Sequence, residues 1–198
     1  SQLEDQLIYE DQQNPDFSWS INVPEKGDYR VLSIGEGTDE RNFLYISLDR
    51  SLNFIPLIDK FEASYRFLGG NAETLWFFSN LDAPNGKILT LNIADKKFQW
   101  KELIGEKTFP ISGASIAGDK LIINYLKDTI SQVEFYNLQG KFIKELPYEN
   151  IGTLSGFNGR FDSNKTYFEF SNFTSPQRIY ELDLKSLEYS LYWETTIK

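Results

Sequence analysis

Histidine, cysteine and methionine are all absent from this 198-residue chain. Without cysteine there is no disulfide, no thiolate nucleophile and no zinc-thiolate site, and the redox compartment is left open. Without histidine, neither a Ser-His-Asp triad nor an imidazole metal site can be completed within the chain. No metal and no cofactor are therefore expected. Long apolar runs are missing too: nothing approaches the ~18 residues needed to span a bilayer. The opening Ser1-Gln2-Leu3-Glu4-Asp5 lacks the basic and apolar regions of a signal peptide. Basic residues are in deficit, with 20 Lys and Arg against 29 Asp and Glu, a net charge of −9. The charges are dispersed, so there is no stripe to neutralise phosphates and no cationic face for anionic lipid. Neither nucleic acid nor a membrane surface is an expected partner. The composition fits either side of a bacterial inner membrane, with the cytoplasm as the first expectation and the periplasm as the alternative. Because methionine is absent, Ser1 is not read as an initiator, and the natural start is expected upstream.

What the chain does contain is a repeat. Ile46-Ser47-Leu48, Leu91-Asn92-Ile93, Tyr136-Asn137-Leu138 and Leu182-Asp183-Leu184 share one apolar, small-polar, aliphatic pattern, and Leu48, Ile93, Leu138 and Leu184 are 45, 45 and 46 residues apart. A fixed period near 45 marks a repeat architecture. Each segment leads through a polar turn, Asp49-Arg50-Ser51, Asp95-Lys96-Lys97, Gln139-Gly140-Lys141 or Lys185-Ser186, into another alternating stretch: Phe54 to Leu57, Phe98 to Ile104, Phe142 to Leu146, Tyr189 to Trp193. Strand, turn and strand at this spacing predict an all-β chain, a β-propeller of about four blades with four antiparallel strands each. Aromatic residues, 16% of the chain, suit half-buried pleated surfaces.

Residues 1–16 read as an irregular lead-in with a turn at Asn14-Pro15-Asp16. Four strand pairs follow: Tyr29 to Ile34 with Phe43 to Leu48, Thr74 to Ser79 with Ile88 to Ile93, Lys120 to Tyr125 with Val133 to Leu138, and Thr166 to Phe170 with Ile179 to Leu184. The loops within these pairs, including Glu36 to Asp39, Asn80 to Asn85 and Phe173 to Pro176, are assigned between third and fourth blade strands and are expected on one edge of the array. Loops gathered on one edge of a rigid scaffold are where ligands usually bind. Asn85-Gly86 carries a hairpin signal. Gly69-Gly70 does not recur at the repeat period, so it reads as a turn rather than a kelch diglycine.

Chemical motifs are few. There is no G-x-S-x-G nucleophile elbow and no P-loop. Glu36, Asp39 and Glu40 form the best carboxylate cluster on one loop, although loop carboxylates are ordinarily solvated surface. A propeller glycosidase would need acidic residues converging from several blades, and the sequence does not supply them visibly. Asn164-Lys165-Thr166 and Asn172-Phe173-Thr174 match the glycosylation sequon at a rate that chance explains.

Ordered matches to one family run through nearly the whole chain. Tyr29-Arg30-Val31-Leu32-Ser33-Ile34, Glu36-Gly37-Thr38-Asp39 and Asn42-Phe43-Leu44-Tyr45 are followed by Leu57-Ile58-Asp59 with Phe61-Glu62, then by Ser79-Asn80-Leu81-Asp82-Ala83-Pro84-Asn85-Gly86-Lys87. Further on come Ile151-Gly152-Thr153-Leu154-Ser155-Gly156, Phe170-Ser171-Asn172-Phe173-Thr174-Ser175-Pro176 and Ile179-Tyr180-Glu181-Leu182-Asp183-Leu184. In order and spacing these segments resemble the propeller of the prolyl oligopeptidase family, the S9-type serine peptidases.

The resemblance implies a seven-bladed propeller of which this chain supplies the C-terminal half, ending near Trp193-Glu194-Thr195-Thr196-Ile197-Lys198. It also implies a partner, the α/β-hydrolase catalytic domain of the same parent chain, and short proline-containing peptides as substrates. In that family the propeller caps the active site and excludes folded proteins. Carried over by position, Ser18, flanked by Phe17 and Trp19, takes the place of an apolar pocket residue. Thr38 takes the place of a cysteine, and Gly35 that of a substrate-contacting arginine. The alternative reading is a stand-alone binding or scaffold module, since propellers serve many functions. A half-ring exposes its first and last blade faces, so the isolated chain is expected to self-associate.

The absence of any base-activated nucleophile of the usual kinds makes the first prediction. Incubated alone with a proline-containing chromogenic peptide, the chain releases no product above buffer. Stoichiometric labelling of the purified chain by a serine-reactive phosphonate would contradict this.

Overall fold

The computed structural model describes residues 4, 7–25, 27–49, 51–94, 97–148, 151–174 and 176–195. Parts of three predicted turns (Arg50, Asp95, Lys96, Ser175), most of the opening pentapeptide and the closing Thr196-Ile197-Lys198 lie outside them. The described chain forms four four-stranded antiparallel sheets, each a simple meander. Sheet 1 holds β1 (Phe17–Asn22), β2 (Arg30–Glu36), β3 (Asn42–Ser47) and β4 (Ile55–Ile58). Sheet 2 holds β5 (Tyr65–Gly70), β6 (Thr74–Ser79), β7 (Lys87–Asn92) and β8 (Gln99–Ile104). Sheet 3 holds β9 (Ile111–Ala117), β10 (Lys120–Lys127), β11 (Ile130–Asn137) and β12 (Phe142–Glu145), and sheet 4 holds β13 (Thr153–Gly156), β14 (Lys165–Ser171), β15 (Arg178–Asp183) and β16 (Tyr189–Glu194). These are blades of a partial β-propeller, and the 45-residue period marks the ends of their third strands.

The second and third strands of the inner sheets are apolar on both faces because each sheet is covered on both sides. Leu75, Trp76 and Phe77 are consecutive on β6 and all buried, as are Leu121, Ile122 and Ile123 on β10. Alternation then sends each residue to one of two interfaces. Leu75 and Phe77 join Val31, Leu44 and Ile46 between sheets 1 and 2. Trp76 joins Leu121, Ile123 and Tyr136 between sheets 2 and 3. Ile122 joins Val133, Phe135, Phe168 and Leu182 between sheets 3 and 4.

Strand direction places the hairpins. In an antiparallel meander the loops after the second and fourth strands share one rim, and those after the first and third share the other. Glu36 to Asp39, Asn80 to Asn85, and Phe173, Thr174 and Pro176 of the last loop therefore do lie along one rim, but these loops join second to third strands, not third to fourth. The expected strand numbering is thus one too high. Side-chain and backbone hydrogen bonds lace this rim from sheet to sheet. The Asn42 carboxamide accepts from Tyr65 N at 2.7 Å and donates to Tyr65 O at 3.1 Å. The Ile111 amide donates to Asn85 O at 2.8 Å, and the Asn124 carboxamide donates to Leu154 O at 2.7 Å.

Gly69-Gly70 is not a turn. It is the bulged end of β5, where the register against β6 shifts between Phe67 and Gly69. Gly69 has φ +152°, and a Cβ on Gly70 would stand 2.2 Å from the Tyr29 hydroxyl and 2.5 Å from Leu75. Two glycines thus permit a bend and a close approach that any side chain would block.

On the opposite rim, the connection between β13 and β14 reaches across the array. Arg160 O accepts from Gly118 N at 2.8 Å, and the Phe161 ring lies 6.1 Å from Trp76 and against Gly69. Phe161 N donates to Glu25 Oε2 at 3.1 Å, and Arg160 Nε lies 3.5 Å from Glu25 Oε1. Sheet 4 is thereby tied directly to the β1–β2 loop of sheet 1.

The outward faces of the terminal sheets differ. On sheet 1 the lead-in segment lays Tyr9 over Trp19, ring centres 5.0 Å apart, and beside Phe54 at 5.8 Å. Trp19 remains 40% exposed. On sheet 4, Tyr167 meets Tyr192 edge-on at 5.0 Å, while Tyr192 and Trp193 stay 64% and 47% exposed. Sedimentation velocity of the isolated chain at micromolar concentration should show dimers or larger species, reduced in a Y192S/W193S variant. A concentration-independent monomer for the unsubstituted chain would contradict this.

Candidate functional site: the axial face of the inner strands

The first strands of the sheets converge on the axial side, where their short side chains leave open space. A cavity of about 430 Å³ is lined by Arg66 of β5, Ser112 to Ser115 of β9, Thr153 to Gly156 of β13, and Phe157 and Asn158 beyond it. A neighbouring cavity of about 400 Å³ is lined by Ser20 and Asn22 of β1, Ser33 and Gly35 of β2, Asp39 to Asn42, and Ser64 to Phe67. Arg66 borders both.

Of the five residues singled out by sequence, the fold pairs two and separates three. Ser18 stands opposite Gly35 across β1 and β2, and its hydroxyl donates to Gly35 O at 3.3 Å. Phe17 and Trp19 project to the other face by strand alternation. There Phe17 packs on Phe43 at 6.0 Å and Trp19 packs on Tyr9. Thr38 is exposed at the tip of the β2–β3 hairpin, next to Gly37 at φ +56°. Ser18 and Gly35 thus share the axial side, while Phe17 and Trp19 belong to the outer flank of sheet 1.

The carboxylate cluster on this hairpin is not arranged for acid-base catalysis. Arg41 holds Asp39 through Nε at 3.0 and 3.1 Å and through Nη2 at 2.6 Å. Bonding to the guanidinium, and then to the Arg41 amide, holds the Asp39 pKa down at about 2. A glycosidase acid needs the reverse, a carboxyl that keeps its proton near neutrality. The Arg41 guanidinium also sits 5.0 Å over the Phe61 ring, which fixes the pair in place.

Arg66 was not legible as a site residue, because β5 itself was not recognised as a strand. Its guanidinium lies 4.8 Å over the Phe78 ring, and no carboxylate pairs with it among the described residues. Burial lowers its pKa from the ordinary arginine value. A third cavity, about 390 Å³ on the laced rim, contrasts with it. There Lys107 is fully engaged, by Glu134 at 2.6 Å, the Tyr136 hydroxyl at 2.8 Å and the Tyr125 ring at 4.8 Å. That cluster fastens the β8–β9 connection to sheet 3. No group of three or more potential metal-ligating side chains occurs among the described residues.

Comparison with known proteins decides the family. Residues 1–195 match the family described as prolyl oligopeptidase, N-terminal beta-propeller domain. The chain belongs to that family. The prolyl endopeptidase of Elizabethkingia miricola is 28% identical over 198 residues, covering all of this chain and 28% of the relative. Prolyl oligopeptidase A of Amanita bisporigera is 28% identical over 163 residues, covering 78% of this chain and 21% of the relative. A solved prolyl endopeptidase superimposes with a TM-score of 0.86 at 27% identity, over 97% of this chain and 30% of that one. Prolyl oligopeptidase B from Galerina marginata superimposes with a TM-score of 0.91 at 19% identity, over 99% of this chain and 29% of that one, and supports the fold. This prolyl oligopeptidase propeller thus spans less than a third of the length of the relatives it matches.

Within it, the Asp39–Arg41 pair gives a pH test. Because the folded pKa lies below the ordinary carboxylate value, the pair is intact above ~4 and is lost as the pH falls through about 2. The pair is exposed, so global stability changes little with it. In R41Q the Asp39 pKa should rise toward ~3.9, read by carboxyl NMR titration. An unchanged value would show that Arg41 is not the cause.

Proposed function

We propose that this chain is the non-catalytic propeller portion of a prolyl oligopeptidase-like serine endopeptidase that cleaves short peptides after proline. The observation that carries the reading is the family match from residue 1 to residue 195. Two supporting facts agree with it. The chain has no histidine or cysteine with which to build a nucleophile of the usual kinds. Its relatives bear peptidase names and are more than three times as long. The α/β-hydrolase catalytic domain of the parent chain is then the structural partner, with the propeller placed over its active site.

The geometry suits a filter. The axial cavities are of side-chain to short-peptide size, about 400 and 430 Å³. Their walls are strands laced along one rim, and the Glu25, Arg160 and Phe161 tie crosses the other. Such a wall admits an extended peptide and not a folded domain. It also limits water at the site it covers.

The test uses the full-length protein with one proline-containing sequence presented twice, as a free decapeptide and within a surface loop of a stably folded host. The expected result is cleavage of the free peptide after proline and at least a 100-fold lower rate on the folded host. Equal rates would overturn the filtering role, and no cleavage of either would overturn the peptidase reading in favour of a binding module.

A further inference from the structure

We propose that Arg66 is an anion-recognition residue of the axial cavity, taking a carboxylate of a bound peptide. The argument begins with charge. The chain carries a net charge of −9, yet the 430 Å³ cavity is lined by one guanidinium and no Asp or Glu. Its other polar walls are neutral hydroxyl and amide groups, among them Ser112, Ser155 and Asn158. Dispersed carboxylates elsewhere on the surface make that exclusion a local property of this wall.

Arg66 is also held ready. The Phe78 ring supports one face of the guanidinium at 4.8 Å, and β5 pairs Arg66 directly with Phe78. The ring is itself pinned, since a Cβ on Gly86 would stand 2.3 Å from it. The ring contact steadies the guanidinium at the cavity wall, and a planar guanidinium can take a carboxylate through two parallel bonds. Asp39 and Glu40 border the adjoining cavity, but Asp39 is bound to Arg41. Burial alone perturbs Arg66, with no carboxylate offsetting it. Arg66 is nevertheless an exposed residue of β5, so its guanidinium is open to a ligand from solvent. Lys107, which lines the cavity on the laced rim, differs in having its carboxylate partner, Glu134, within the chain.

The ligand class, a peptide, rests on the peptidase reading; the anion preference does not. Two sources of the carboxylate fit, an acidic side chain or the peptide's free C-terminus. Isothermal titration calorimetry on the full-length protein at low salt separates them. One series of octapeptide amides carries a single Glu or Gln moved through each position, and one pair differs only as C-terminal acid or amide. Carboxylate peptides should bind about 10-fold tighter than their neutral counterparts at one position or at the terminus. R66M, which keeps an apolar side chain against Phe78, should bring the ratio within twofold. R66K should give an intermediate ratio, because charge remains and the planar fork is lost. The inference is overturned if no carboxylate peptide is preferred, or if the preference survives in R66M. Charge-selective binding with no cleavage of any peptide would uphold Arg66 and sink the peptidase reading; cleavage without charge selectivity would do the opposite.

Discussion

The structure depends on one constraint: an isolated four-stranded sheet of this composition has two apolar faces, and only stacking sheets side by side covers both. Phe77 and Trp76 are neighbours on β6 and point to opposite interfaces, yet each is almost fully buried. At about 25 cal/mol per Å² of apolar surface, such packing is the main source of cohesion between blades; the chain has no cysteine, and no metal-ligating cluster occurs among the described residues. The polar bridges of Asn42, Asn85 and Asn124 add register. They set which rim of one sheet meets the start of the next.

That constraint also explains what was legible in the sequence. Second and third strands repeat every blade with the same double-sided burial, so Thr74 to Ser79 and Lys120 onward announced themselves as strands. The propeller class and the family followed from them. Inner strands obey a different rule. They border axial space, so β1 alternates Ser18, Ser20 and Asn22 with apolar residues, and β9 reads Ser112-Gly113-Ala114-Ser115. A run such as that of β9 looks like a loop. Arg66 was hidden for the same reason. It lies between Tyr65 and Phe67 on a strand whose glycine-rich end imitates a turn.

The candidate pocket residues show how much a linear reading loses at period two. Phe17, Ser18 and Trp19 are contiguous in sequence and were grouped together, but alternation assigns them to opposite sides of sheet 1. Ser18 and Gly35, seventeen residues apart, are the true neighbours. The arrangement puts aromatic bulk on the flank, where Tyr9 covers it, and small polar groups on the axis. Arg66, from the next sheet, borders the axial cavities beside them.

The tie between Glu25 and Phe161 has a kinetic consequence. Its partners are 136 residues apart, whereas the rim bridges between successive sheets span 23 to 30. Closing the longer loop carries the larger entropy cost, by roughly 1.5 RT times the logarithm of the length ratio, and no contact within sheets 1 to 3 can substitute for it. Blades can therefore form in order along the chain, each templated by its neighbour, while the link across the opposite rim waits for the β13–β14 connection to be made. Non-local closure of this kind slows folding. Until it occurs, the array is an open stack with one laced side.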